Sequence, residues 1–345
     1  MMAEQPMKPK PLQVALAGAG MISWYHLVGW RNLAQRVRLV AVCDPDMSRA
    51  AKRAEEFSIP HVYRDSNAMF AAETIDALDV ATPRATHSAW VEAAAERGIH
   101  VLCQKPMTPT LAESQALVRR VAGKSRLMAH ENWRFRPWYR ELKRWITEGE
   151  LGDVVLARMA TIASGLVPDA NGRRPLLERE PYTQHEERMM IAEVLIHHLD
   201  VMRFLCGELR VVAARAARTV PDVVGETVAA IFLETGLGVP VEVTGTMVAA
   251  GYPARPPDSL EIIGSKASAT FADSVLRLHG ATPRSQSYDS HLGYQASFDG
   301  VIAHFVECLE TGAPFETDPA DNLETLRLVE DAYWAAGLQR LRRNP

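Results

Sequence analysis

The chain has 345 residues, which suggests two domains at roughly 150 residues each, and its 47% hydrophobic content is enough to bury a core in both. A net charge of −4 excludes the basic excess of a nucleic-acid binder, and no run of about 18 uninterrupted apolar residues offers a membrane span. Met1 to Pro11 carry lysines and prolines without an apolar core, so they read as a disordered leader rather than a signal peptide, and a cytoplasmic location is expected. The four cysteines, Cys43, Cys103, Cys206 and Cys308, are scattered, form no Cys-x-x-Cys pair and read as buried free thiols.

The first ordered stretch is the most informative. An apolar run from Leu12 to Ala17 leads into Gly18-Ala19-Gly20-Met21-Ile22-Ser23, a helix-like segment to about Asn32, and a second apolar run from Val37 that ends at Asp44. Strand, glycine turn, helix and strand in this order suit a dinucleotide. Gly18 allows the tight turn, Gly20 lets backbone approach a pyrophosphate, and the opening N–H groups of the helix face its charge. Asp44 stands where a carboxylate holds the adenine-side ribose and repels a 2′-phosphate, so NAD is expected rather than NADP. A Gly-x-Gly alone is a weak signal; here both flanking strands and the helix are present. Ser23 takes the third small position of the turn.

Helix-like segments follow at Ser48 to Phe57, Ser66 to Ala72 and Thr86 to Arg97, the last ended by Gly98. Between them lie a short strand near Val62 and a buried one at Ala77 to Ala81, which stops at Thr82-Pro83. The strand His100 to Cys103 runs into Gln104-Lys105-Pro106. Thr110-Leu111-Ala112-Glu113 has capping-box spacing and starts a helix to about Ala122, and Leu127 to His130 is a further strand. This alternation predicts a doubly wound parallel sheet with its ligand crevice beyond the carboxyl strand ends.

Past Asn132 the alternation stops. Pro137 to Glu148 is an amphipathic helix, Val154 to Ile162 a strand, Gly165 to Tyr182 a loop rich in arginine, and Glu186 to Cys206 a long helix. Closely spaced strands then run over Arg210 to Ala217, Val228 to Glu234, Val239 to Met247, Leu260 to Ile263, Ala269 to Phe271 and Val275 to Leu278. Their turns favour a mostly antiparallel sheet. Helices Phe298 to Thr311 and Pro319 to Leu341 close the chain. The fold class is α/β: a dinucleotide-binding domain over 11–131, then an α+β domain with an open, mostly antiparallel sheet over 132–345.

Two groups of residues invite chemistry. Lys105 lies between a buried strand and a proline on the ligand side of the sheet, where a solvated surface lysine is unusual, and a nearby cationic nicotinamide would pull its pKa toward a useful range. Glu193, His197 and Asp200 are spaced four and three apart, on one stripe of an apolar helix, and ionisable groups there need partners or a task. Asp200 reads as a structural partner and His198 as structural or at a pocket edge. Arg173, Arg174, Arg179 and Arg188 could meet an acidic substrate group, with a solvated loop as the default. Trp133, Arg134, Phe135, Trp138 and Tyr139 follow the last parallel strand and could line the crevice, or simply form core. The adjacent His197 and His198 point apart on a helix, and no zinc-site spacing occurs, so no metal is expected.

Taken together, Gly18-Ala19-Gly20 with His26, Asp44, Thr82-Pro83 with His87, Gly98 to Leu102, Gln104-Lys105-Pro106, Asn132 with Arg134-Phe135, Gly149 to Gly152 and the Glu193/His197/Asp200 helix resemble the Gfo/Idh/MocA oxidoreductase family over nearly the whole chain. The resemblance implies a Rossmann domain and hydride transfer from a sugar, polyol or cyclitol alcohol to NAD, with an aldose such as a pentose or apiose within range. It implies no nucleic-acid or membrane partner, and a homo-oligomer, dimer or tetramer, built through the C-terminal sheet. Carried onto this sequence, it implies cofactor binding by Gly18, Gly20, Met21, Ile22, Asp44, Thr82, Pro83, His87, Gln104 and Lys105. It further implies catalysis by Lys105, His197 and Glu193, and substrate contact by Lys105, Arg134, Glu193 and His197. The family's Glu-Lys-Pro and Asp-x-x-x-His become Gln104-Lys105-Pro106 and Glu193 with His197. The alternatives are a non-redox or glycosidase-like enzyme that uses NAD transiently, and a silent NAD-binding protein; retention of Lys105 with His197 argues against the latter.

Overall fold

The structure, a computed structural model, describes residues 10–338. The expected leader falls almost wholly outside the described residues, as does the end of the last expected helix. The chain divides into two compact units. One runs up to His130 and takes in Phe298–Asp321; the other comprises Glu131–Ser297 and the chain from Asn322.

The first unit is built on six parallel strands, β1 (Leu12–Ala17), β2 (Val37–Cys43), β3 (His61–Tyr63), β4 (Ala77–Val80), β5 (His100–Gln104) and β6 (Leu127–His130). Their order is β3-β2-β1-β4-β5-β6, so the winding reverses between β1 and β4, which pair directly. The strands are apolar runs because both faces are covered: Val14 to Ala17 on β1 and Val101 to Cys103 on β5 are wholly buried. The helices are α1 (Ser23–Asn32), α2 (Met47–Phe57), α3 (Ser66–Ala72), α4 (His87–Ala95) and α5 (Leu111–Val121). Asp46 caps α2 by accepting the Ser48 and Arg49 N–H groups, and Thr110 with Glu113 forms the expected capping box on α5. The segment Phe298–Asp321 is tied in by polar contacts. The Ala129 N–H donates to the Thr317 carbonyl at 2.9 Å, and the Thr317 hydroxyl donates back to the Ala129 carbonyl at 2.6 Å.

The second unit carries eight strands, β7 (Val154–Ile162), β8 (Leu209–Ala217), β9 (Val228–Thr235), β10 (Pro240–Thr246), β11 (Ser259–Gly264), β12 (Ser268–Ala272), β13 (Val275–His279) and β14 (Arg284–Ser287). They are ordered β14-β13-β12-β11-β7-β10-β9-β8. Every pairing is antiparallel except β7 with β10. Alternation marks a sheet with one covered face: on β9, Ala229, Ile231 and Leu233 are buried while Phe232 is exposed. Helices α6 (Pro137–Thr147), α7 (Pro175–Arg179) and α8 (Ile196–Cys206) precede the main run of strands, and α9 (Ser290–Thr311) and α10 (Pro319–Ala335) end the described chain.

Four segments depart from the sequence expectations. β14 is an added edge strand, wholly exposed and without apolar alternation. α9 begins eight residues before Phe298, at Ser290. The arginine-rich segment contains α7 and a short turn, Pro181–Gln184. The long helix expected from Glu186 is α-helical only from Ile196, because Met190–Leu195 is wound as a π turn.

Candidate active site

The glycine turn is shaped by a close approach of β1 to β4. Gly18 has φ +94°, and a Cβ there would lie 2.6 Å from the Ala81 carbonyl oxygen, so only glycine fits. At Gly20 a Cβ would meet nothing within 4 Å, which leaves the loop open on its outer side. Ser23 is fully buried, and its hydroxyl donates to the Gly20 carbonyl at 2.6 Å, tying the turn to α1. Asp44 Oδ2 accepts the Ala19 N–H at 2.7 Å and Oδ1 accepts the Asp46 N–H at 2.8 Å, so the half-buried carboxylate holds the loop while keeping lone pairs for a ligand. A cavity of about 220 Å³ beside the loop is lined by Ala19, Gly20, Met21, Arg49, Lys52 and Arg53. An open glycine backbone, a carboxylate and three cations fit the pyrophosphate and ribose of a dinucleotide.

The ends of β4 and β5 are bound together. The His87 ring is buried, with Nε2 facing the Thr82 carbonyl at 2.8 Å and Nδ1 the Pro106 carbonyl at 3.0 Å. The Thr86 hydroxyl donates to the Thr82 hydroxyl at 2.8 Å. Lys105 is half-buried, joined to Pro106 by a cis peptide, and its N–H donates to Gln104 Oε1 at 2.7 Å. Burial pushes the Cys43 thiol up to about 12 and the Cys103 thiol higher still, so neither serves as a nucleophile.

The second unit holds a separate polar cluster. His197 Nδ1 bonds the fully buried Glu131 carboxylate, and the imidazole lies parallel to the Trp133 ring, 2° between planes and 4.6 Å between centroids. Arg134, expected to reach substrate, is 4% exposed. It closes its fork on Asp200, with Nε donating to Oδ2 at 2.8 Å and Nη2 to Oδ1, and the Thr325 hydroxyl donates to the same carboxylate at 3.1 Å. Asp200, expected to satisfy the histidine of its own helix, instead pairs with Arg134, while His197 turns to Glu131. His198 is held between Asp258 at 3.0 Å and the Val194 carbonyl at 3.2 Å. Burial pushes the Asp258 carboxyl up, but His198 and Arg136 outweigh it and hold the group below the usual range.

Glu193 sits half-buried in the π turn, where the α-helical spacing of four to His197 does not apply. That turn is supported by the buried Glu226, whose carboxylate accepts the Ile191 N–H at 2.9 Å and the Tyr333 hydroxyl. The loop arginines are engaged within the chain: Arg173 with Asp169, Arg174 with Asp222, Arg179 with Glu180 and Arg188 with Glu330. Glu131, Glu226 and Asp258 escaped the sequence reading. Of these only Glu131 carried a signal, its place directly after β6.

The parallel sheet and its glycine cradle define a dinucleotide-binding Rossmann oxidoreductase. Residues 12–131 match the oxidoreductase family with an NAD-binding Rossmann fold, and residues 139–270 match the GFO/IDH/MocA C-terminal domain. The chain belongs to the Gfo/Idh/MocA oxidoreductase family. It is 32% identical over 346 residues to a D-apiose dehydrogenase of Paraburkholderia graminis, covering 95% of this chain and 88% of the relative. A D-apiose dehydrogenase of Rhizobium rhizogenes is 29% identical over 339 residues, covering 94% and 95%. An oxidoreductase of Agrobacterium radiobacter, crystallised with NAD+, L-tartaric acid and magnesium, matches with a TM-score of 0.88 and 28% identity over 96% of this chain and 98% of that one. The expected fold class, the NAD cofactor and the assignment to oxidoreductases are borne out. Among the described residues no helix is long and apolar enough to cross a membrane.

Proposed function

We propose that the protein oxidises a CH–OH group of a sugar, polyol or cyclitol, with an aldose such as apiose the first substrate to try. The observation that carries this reading is the gathering, at the carboxyl ends of one parallel sheet, of the glycine cradle and Asp44 with Lys105. Bound NAD supplies the hydride acceptor. The chain's own residues must then take the hydroxyl proton, and Nζ of Lys105 is proposed as its first acceptor. In the second unit Glu131 favours a proton on Nδ1 of His197, which makes Nε2 the basic nitrogen of a neutral ring, so His197 is the second acid–base group. Glu193 is proposed as a contact to a substrate hydroxyl, and Arg134 as support for this cluster through Asp200. The D-apiose dehydrogenase relatives support the aldose choice.

On this reading the first unit binds NAD and the second recognises substrate. Exposed Val155, Leu156, Val212 and Phe232 on β7, β8 and β9 support self-association through the eight-stranded sheet. Four free cysteines support a reducing, cytoplasmic location. A screen of aldoses, polyols and inositols for NADH absorbance tests the assignment. D-Apiose reducing NAD fastest would support it, and no substrate in these classes yielding NADH would refute it.

A further inference from the structure

Behind Lys105 the first unit buries a line of polar groups for which the glycine cradle gives no reason. Asp79 on β4 is fully buried, and its carboxylate accepts the Trp30 indole N–H at 2.6 Å and faces His26 Nδ1 at 2.9 and 3.0 Å. On the other side of the ring, His26 Nε2 lies 3.1 Å from Gln104 Nε2, and Gln104 Oε1 accepts the Lys105 N–H at 2.7 Å. His26 is itself fully buried, with the His130 ring stacked at 4.2 Å and Phe298 against its edge at 5.3 Å.

The donors and acceptors in this line have one self-consistent arrangement. The Lys105 main-chain N–H only donates, so the Gln104 oxygen must face it and the Gln104 amide NH2 must face His26. An amide NH2 only donates, so His26 Nε2 must be unprotonated. The ring proton is then on Nδ1, where Asp79 accepts it. A glutamate at position 104 would match both neighbours only if the line held one more proton, on His26 Nε2 or on the glutamate's own oxygen.

We propose that Asp79, His26 and Gln104 form a relay of fixed direction that anchors the Lys105 backbone, with Gln104 as a positioning residue that keeps His26 a neutral Nδ1–H tautomer. The inference rests on Lys105 as the acid–base group proposed above. The amide at position 104, in place of the family's acid, thereby supplies one donor and one acceptor to the support of that lysine. The titratable groups facing His26 are Asp79 and His130, with Lys105 one residue beyond Gln104.

The test is long-range proton–nitrogen NMR of the histidine side chains in the NAD-loaded full chain, with His26 assigned through its proximity to Trp30 and Phe298. The wild type should show His26 as the Nδ1–H tautomer with Nε2 unprotonated. A wild-type His26 that carries a proton on Nε2 overturns the relay. Kinetics with the alcohol found in the substrate screen supply the second arm. Gln104→Leu should lower kcat about tenfold with KM for NAD within about twofold. Wild-type kcat and pH profile in Gln104→Leu would overturn the positioning role. Lys105→Met is run beside them: if it keeps wild-type turnover the acid–base assignment fails, whatever the NMR spectra show of the relay.

Discussion

Replacing Asp44 by asparagine separates the two jobs of that carboxylate. In the structure both of its oxygens accept main-chain N–H groups, Ala19 at 2.7 Å and Asp46 at 2.8 Å. An amide offers only one oxygen, so Asp44→Asn turns an NH2 toward one of these donors and leaves it unpaired. It also removes the charge proposed to bind ribose hydroxyls. A hydrogen bond to a charged group is worth about 1.5–3 kcal/mol, and each 1.4 kcal/mol is a tenfold change in affinity, so NAD should bind roughly 10- to 100-fold more weakly. NADP should lose much less, because the repulsion of its 2′-phosphate goes with the carboxylate. Arg49, which could favour NADP, is drawn to Asp46 at 3.0 Å, though at an exposed site where such a pair is weak. Calorimetric titration of both proteins with both cofactors measures all four affinities. Unchanged NAD affinity in the variant, or a wild type that binds NADP more tightly than NAD, would refute this account of Asp44.

Three further outcomes follow from the second unit. Arg134→Met leaves Asp200 as a buried charge without its fork, and breaking such a pair costs about 3–5 kcal/mol; the urea midpoint should fall accordingly, and an unchanged midpoint would contradict the burial of the pair. Asp258 is held below its usual range by His198 and Arg136 against the opposing effect of burial. Its stabilising contribution is therefore present above the unfolded value of about 3.9 and lost as pH falls through the lower folded value. Urea midpoints across that acid range should drop more steeply in the wild type than in Asp258→Asn. Glu131→Gln should lower turnover while keeping NAD affinity, since His197 Nδ1 loses its charged partner; a loss of thermal stability with unchanged turnover would make the pair purely structural.

The parallel sheet was legible because its strands are buried on both faces and end at glycine or proline, and because its ligand side is fixed by the direction of the chain. That placed Gly18, Asp44 and Lys105 without any knowledge of contacts. What escaped was whatever depends on partners far along the chain. Glu131 meets His197 across 66 residues, and the π turn at Met190–Leu195 is supported by Glu226, 35 residues beyond the Ile191 N–H it accepts. Neither leaves a periodic trace, and the apolar sequence around Glu193 suits an α-helix equally well. α9 starts at Ser290, so Gly293 lies inside its first turns. A Cβ there would lie 2.3 Å from the Trp138 ring, so the glycine is a packing requirement. The strand β14 has four exposed polar residues and follows only from its pairing with β13.

Lys105 is proposed to move the proton that accompanies alcohol oxidation. Lys105→Met keeps most of the side-chain stem and removes the ammonium, and general acid–base assistance is typically worth about 10²- to 10⁴-fold. Single-turnover formation of NADH from the alcohol identified in the screen, with NAD affinity measured on the same sample, tests this most directly. NAD should bind as tightly as to the wild type or slightly more so, and NADH formation should slow on the order of 10²-fold or more. NADH formation at the wild-type rate would contradict this role and leave His197 as the proton-transfer group.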